Sequence, residues 1–388
     1  MILDILDEHI DEAEDLFERR LLAFDMLDLT GEDLAALDAR LRAHLEGLLL
    51  GEETSWELCR DYLVDGSVGQ AFVAGIIACE APGAPGLELL QQALIEAPSE
   101  VKQGIRWACR LTIWPGAVEF LQHQLSTSDA DVRAVALDAL LYRKILPAVD
   151  VLERALKSPD TVELIAGIHG TAQINEPRLA AMVEGHLSSD NPDVCAAALE
   201  ALVLIDPSRA IARCHGILSN AAPCPAAAAG LLGVIGNRDD IGLLMETTAD
   251  QDLSVARAAV LALGNLGSPL AAPALIELLE HPKLGGVAGV SLNRMFGEHL
   301  LEIEMPSNET MEDEDDNADW QPDDDLPHLS QQFVRQWWAK HKHDFPEQGR
   351  FRSGEAYSPG QTLAETPLPL LKYEQMEHRL MMKGCFKK

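Results

Sequence analysis

Residue types capable of chemistry occur throughout this 388-residue chain, but not at the spacings that enzymes use. No G-x-S-x-G elbow, H-E-x-x-H pair, P-loop or G-x-G-x-x-G turn is present. DGSVG from Asp65 and GGVAG from Gly285 miss the glycine positions of a phosphate-cradling loop and read as helix starts. The seven cysteines (Cys59, Cys79, Cys109, Cys195, Cys214, Cys224 and Cys385) are odd in number and form no C-x-x-C step. Most sit inside apolar helical patterns, as buried reduced thiols do. Cys195, Cys214 and Cys224 with His215 are the one grouping that could hold zinc, and their spacing matches no familiar ligand knuckle. DEDDNADWQPDD from Asp313 places acids at positions 1, 3, 7 and 12 of a calcium loop and Asn317 at 5. Ala318 replaces the central glycine, Asp324 stands where a bidentate glutamate is wanted, and Pro322 intrudes, so an acidic linker is expected instead. No cofactor or metal is expected.

The charge excludes other classes. With 63 acidic against 30 basic residues the net charge is −33, whereas general binders of nucleic acid or anionic membranes need a positive surface. Hydrophobic residues make up 47%, enough to bury a core, and aromatics only 5%, as in Ala/Leu-rich helical proteins. No basic n-region precedes an apolar run at the start, and no apolar run is long enough to span a bilayer, so a cytoplasmic protein is expected. The acids are uneven: residues 1–33 hold 12 acids and two bases, and residues 302–327 hold 12 acids and no base.

The elements behind this pattern follow from an internal period. Pro85, Pro115, Pro147, Pro177, Pro207 and Pro269 are spaced 30, 32, 30, 30 and 62 apart, the last gap being two periods with Asp239 in the empty slot. Val68, Val101, Val132, Val162, Val194, Cys224, Val255 and Val287 keep the same step, 30 to 33 residues. At positions +3, +4, +7 and +8 from these eight markers, the core face of a helix, 29 of 32 residues are apolar or glycine. The exceptions are His169, expected as a core histidine bonded to a neighbouring helix, and Ser291 and Arg294, in the last unit where an end cap relaxes the rule. The prolines suit the first turn of a second helix, where a missing N–H has no intrahelical partner. Each unit is then a helix, a turn and a second helix, too short to bury its own apolar faces, so the units must stack. The fold class is all-α, an α-solenoid of about eight helix pairs over residues 65–297.

Residues 1–64 form an N-terminal helical cap. Ile2, Ile5, Leu6, Ile10, Ala13, Phe17, Leu21 and Phe24 make one apolar stripe, and Thr30 with Asp33 opens a helix lined by Leu34, Leu37, Leu41, Leu45 and Leu48. Residues 298–328 read as a flexible acidic linker. In residues 329–388, Ser330 caps a helix whose face carries Phe333, Val334, Trp337, Trp338 and His341, and a short helix follows near Leu370–Met382. Three tryptophans within residues 320–338 imply docking on the solenoid, or an aromatic hot spot for a partner. The second helices carry a ladder of mixed charge, and the candidate partner-binding residues are Arg154, Arg178, His186, Arg209 and Arg213 there, with Trp337 and Trp338.

SDADVRAVALDALL from Ser128 and DQDLSVARAAVLALGNLG from Asp250 resemble the short HEAT-like (armadillo-like) repeats of bacteria. LDARLRAHLEGL (Leu37–Leu48), the repeat array, the acidic stretch ending DDDLP, QWWAKH and GRF (Gly349–Phe351) are together similar to a family of bacterial HEAT-repeat proteins often encoded beside type VI secretion genes. The resemblance brings no catalytic residues. It implies a non-enzymatic protein-binding scaffold, an effector adaptor or an immunity-type neutraliser, and the charge suits a basic secreted client. HEAT-like di-iron hydroxylases use repeated His-Glu steps, but His123, His169, His186 and His215 are followed by Gln, Gly, Leu and Gly. An enzyme of the HEAT-like bilin-lyase type, or a nucleic-acid binder with a hidden basic strip, is the alternative.

Overall fold

In a computed structural model the described residues are 2–81, 86–174, 176–220, 223–297, 326, 329–358 and 366–382. Pro85, Cys385 and nearly all of the acidic stretch, with its calcium-loop-like pattern, lie outside them. Four helices come first: α1 (Ile2–Ala23), α2 (Gly31–Leu49), α3 (Glu52–Cys59) and α4 (Tyr62–Asp65). Helix pairs then alternate: α5 (Val68–Glu80) with α6 (Gly86–Glu96), α7 (Ser99–Leu111) with α8 (Ala117–Gln124), and α9 (Ala130–Tyr142) with α10 (Val149–Ala155). They continue as α11 (Thr161–Gln173) with α12 (Pro177–Gly185), α13 (Pro192–Ile205) with α14 (Pro207–Ser219), α15 (Pro225–Ile235) with α16 (Ile241–Thr247), and α17 (Leu253–Leu266) with α18 (Ala272–Leu278). The helix α19 (Gly285–Phe296) opens the last unit, and α20 (Gln331–His341), the hairpin β1 (Phe351–Arg352) and β2 (Glu355–Ala356), and α21 (Leu368–Met382) follow. The chain is an α-solenoid.

Each of the eight periodic markers falls at the start of a first helix, where local side chains set the boundary. Asp129, Asp160, Asn191 and Asp252 accept N–H bonds at the N-termini of α9, α11, α13 and α17, and Ser67 forms a capping box with Gln70 on α5. Pro177 and Pro207 open second helices, whereas Pro192 and Pro225 open first ones. Contacts divide the chain into two compact units: Met1–Phe24 with Glu32–Ser189, and Asp25–Gly31 with Asp190–Lys388.

In the first unit the first helices approach closely because small residues meet. A methyl group on Gly75 would lie 2.6 Å from Ala108 Cβ, and one on Gly104 would overlap the Val68 carbonyl oxygen. The N-terminal cap packs on the same stack through Phe17, whose ring stacks on Phe72 at 3.9 Å. The stripe of α1 is rotated from the expected one: Leu6, Ile10, Ala13, Leu16, Phe17 and Arg20 are buried, while Ile5 and Phe24 are 49% and 39% exposed. Arg20 belongs inside because it bonds Asp38 at 2.6 Å and lies over Trp107. His169 is a second correction. It stands on the exposed side of α11, while Glu163, Ala166, Gly167 and Gly170 face inward.

In the second unit a methyl group on Gly233 would lie 2.7 Å from Ala262 Cα, and Gly264 presses on Ser291. Ser291 and Arg294 are buried, contrary to a relaxed end cap: Ser291 faces α17, where its hydroxyl donates to Val260 O at 3.0 Å, and the C-terminal segment covers Arg294. Arg294 bonds Asn265 at 2.5 Å and Glu374, on α21, at 2.9 Å. Arg352 makes a bidentate pair with Glu377 at 2.9 Å, each side chain only 1% exposed. The hairpin turns at Ser353 and Gly354, both with positive φ (53° and 78°), as a tight two-residue turn requires. Its N–H groups answer carbonyls left open at helix ends: Ser353 donates to Arg294 O at 2.8 Å, Gly354 to Met295 O at 3.0 Å, and Phe351 to Gly267 O at 2.7 Å. Residues 25–31 join this unit through the Leu368 N–H bond to Leu29 O (2.8 Å) and the Arg257 bond to Asp25 O (3.2 Å).

Gly104→Ala is expected to lower the unfolding free energy by about 1–3 kcal/mol, since the backbone it meets cannot step aside. Gly216→Ala, inside α14 with nothing within 4 Å, should raise it by about 0.5–1 kcal/mol through helix propensity. Urea unfolding of both variants checks the contrast.

Candidate protein-binding surface

A set of polar bonds at the repeat spacing runs through the first unit. Arg110 pairs with Asp138 at 2.6 Å, Arg133 with Glu163 at 2.8 Å, and Lys102 with Asp131. Arg143 donates to the Cys109 and Thr112 carbonyls at 3.0 and 2.5 Å. These residues were missed as a site, yet reading charges in repeat register exposes them: each base finds its acid 28 to 30 residues on.

The expected charge ladder on the second helices is woven into the same pattern. Arg154 donates to Leu125 O at 2.6 Å, His186 bonds Leu156 O at 3.1 Å, and Arg178 pairs with Glu153, which also holds Lys157 at 2.8 Å. Arg133, Glu153, Arg154 and Lys157 line a shallow cleft of about 480 Å³. Another, about 290 Å³, opens on the first helices between Lys102, Gln103, Arg106, Ala134, Val135 and Asp160. Arg106 has a buried Nε with no acceptor, and burial lowers its pKa against the pull of Asp138.

The most strongly charged surface of this unit is α1. Asp4, Asp7, Glu8, Asp11, Glu12, Asp15 and Glu18 are all exposed on it, and Asp15 pairs with Arg19 of the same helix at 2.9 Å. The apolar face beneath is held by α5, so this acid face is presented on a rigid element.

In the second unit Arg209 and Arg213 are exposed on α14, and His215 bonds the buried Asp240 at 2.5 Å. The structure does not bring these residues together with the tryptophans. Trp337 and Trp338 are half-buried and pack on Phe296, with ring centroids at 5.6 and 5.2 Å, and on Phe345. Docking on the array therefore accounts for most of their surface. Arg335 reaches Glu277 at 2.9 Å, and Lys372 reaches Glu200 at 3.6 Å, so the basic C-terminal segment meets acids of the array.

Six cysteines are buried, and burial pushes the Cys59, Cys109 and Cys214 thiols up to about 12. Among the described residues no group of three or more His, Cys, Asp or Glu is placed to hold a metal ion. No helix among them is long and apolar enough to cross a membrane.

The Arg133–Glu163 pair carries a pH signature. Burial alone would raise the Glu163 carboxyl, but bonds from Arg133 and the Ser158 hydroxyl more than offset it and hold it below the usual range. Its folded pKa is depressed, so its contribution is complete above an unfolded value of about 4.3 and is lost as pH falls through the folded value. Glu163→Gln should cost about 1.5–3 kcal/mol at neutral pH and flatten the acid limb of the stability profile, read by urea unfolding from neutral pH downward.

No curated protein matches the chain. Residues 220–291, from the end of α14 to the middle of α19, match the family described as HEAT repeats.

Proposed function

We propose that this α-solenoid is a non-enzymatic scaffold that binds another protein, a basic one, through its acidic face. HEAT repeats commonly serve as protein-interaction scaffolds, and the match to that family supports this class. The observation that carries the reading is the surface of α1. Seven exposed acids lie along one rigid helix whose opposite face is locked into the stack. An array of like charges held at fixed spacing attracts a complementary basic surface and repels nucleic acid and anionic lipid. The resemblance to HEAT-repeat proteins encoded beside type VI secretion genes suggests the setting: a cytoplasmic accessory protein that loads or neutralises a basic effector.

Affinity purification of the full chain from its native cells should retain a basic protein in stoichiometric amount at physiological salt, and raising the salt should release it. Replacing Glu8, Asp11, Glu12, Asp15 and Glu18 by their amides should weaken capture at least tenfold with the helical circular dichroism unchanged. Failure to recover a stoichiometric partner, or capture indifferent to both salt and these substitutions, overturns the proposal.

A further inference from the structure

Within the second unit two thiols from successive repeats meet. Cys195 lies in the first turn of α13 and Cys224 caps the N-terminus of α15, with their sulfurs 2.7 Å apart. That separation is nearer to the roughly 2.05 Å of a disulfide than to a non-bonded contact of about 3.5–4.0 Å. Cys224 also holds an unusual backbone. Its φ of 62° and ψ of 43° put it in the left-handed region, which a residue with a β-carbon occupies only when its surroundings impose it. A cap at this point ordinarily uses a side-chain oxygen, and here the side chain makes no capping bond. Cys224 retains 8% exposure while Cys195 has none, so a small oxidant reaches the pair from one side.

We infer that Cys195 and Cys224 are a site of reversible disulfide formation that ties α13 to α15. With a peroxide as oxidant, the Cys224 sulfur, as its thiolate, attacks one peroxide oxygen, the O–O bond breaks, and a sulfenic acid and water form. The Cys195 sulfur then attacks that sulfenic sulfur, the S–O bond breaks, and a second water leaves. Two thiols lose two electrons and two protons, and the peroxide takes them up to become two waters. Burial, with the neighbouring Cys195, raises the Cys224 thiol and makes the first step slow, so the bond forms under sustained oxidation and, once formed, resists exchange. The linkage closes a loop between neighbouring repeats and stabilises their stacking by restricting the unfolded chain. It is independent of the acidic surface of α1.

The full chain, with all seven cysteines, is incubated with hydrogen peroxide, its free thiols are alkylated, and the digest is mapped by mass spectrometry without reduction. A peptide linking Cys195 to Cys224, two hydrogens lighter than its parts and abolished by reductant, is the expected product. The oxidised protein should melt several degrees above the reduced one, and Cys195→Ser should erase that difference. Alkylation of both thiols after oxidation, a different pairing, or higher oxides at Cys224 with no cross-link would overturn the inference. The wild-type map decides the matter even if Cys195→Ser folds poorly.

Discussion

Everything in this fold depends on how closely successive first helices approach. At Gly75, Gly104, Gly233 and Gly264 there is no room for a methyl group, so backbone meets backbone or a small side chain. Such contact gains dispersion energy along the whole helix but fixes the spacing rigidly, because close-packed interiors transmit rather than absorb a misfit. Once that spacing is set, a side chain at one position of a repeat can reach only a few positions of the next. Arg110 finds Asp138, Arg133 finds Glu163, and Arg143 finds the carbonyls at the end of α7. Polar bonds at the period of the repeat are thus a consequence of the small residues, and they lock in a register that apolar contacts alone leave slippery.

A stacked array creates its own difficulty at the last repeat, whose apolar face has no successor. Here the chain returns to supply a cover. Phe296 is enclosed by Trp337, Trp338 and Phe345, and the hairpin donates N–H groups to the open carbonyls at the end of α19. Two buried arginines, Arg294 and Arg352, then pair with Glu374 and Glu377 on α21. Replacing such pairs by apolar residues is often neutral for stability, whereas leaving one partner alone is strongly unfavourable. Their effect is therefore one of specificity: α21 can seat in this place in one register and in no other.

The repeat architecture was legible because it is a local matter of period. Helix starts follow from Asp129, Asp160 and Asn191 at capping positions, and core faces from small apolar residues three and four apart. What could not be read depended on contacts distant in sequence. Arg294 looks like an exposed end-cap residue until Glu374, 80 residues later, is brought to it. Arg20 interrupts the apolar stripe of α1, and only Asp38 and Trp107 together explain why it lies inward and displaces Ile5 and Phe24 toward solvent. His169 lies at the surface because Glu163, Ala166, Gly167 and Gly170 make the inward face of α11. Arg154 and Arg178 lie on the second helices α10 and α12, and His186 stands one residue past α12 in a 3-10 turn, but their bonds to Leu125, Glu153 and Leu156 need the neighbouring repeat to be visible.

These internal bonds also sharpen where recognition can occur. A guanidinium already held by a carbonyl or carboxylate must give up that bond before it meets a partner, so Arg154 and Arg178 begin at a disadvantage. The exposed acids of α1 start from a better position: they stand in water on a helix fixed from behind by Phe17 and Leu6, whereas Glu14, which accepts from the Ser67 hydroxyl at 2.6 Å, is an acid that ties α1 to the stack. Burying unpaired negative charge is expensive, so an acidic face kept in solvent is stable alone and still favourable to cover with cations.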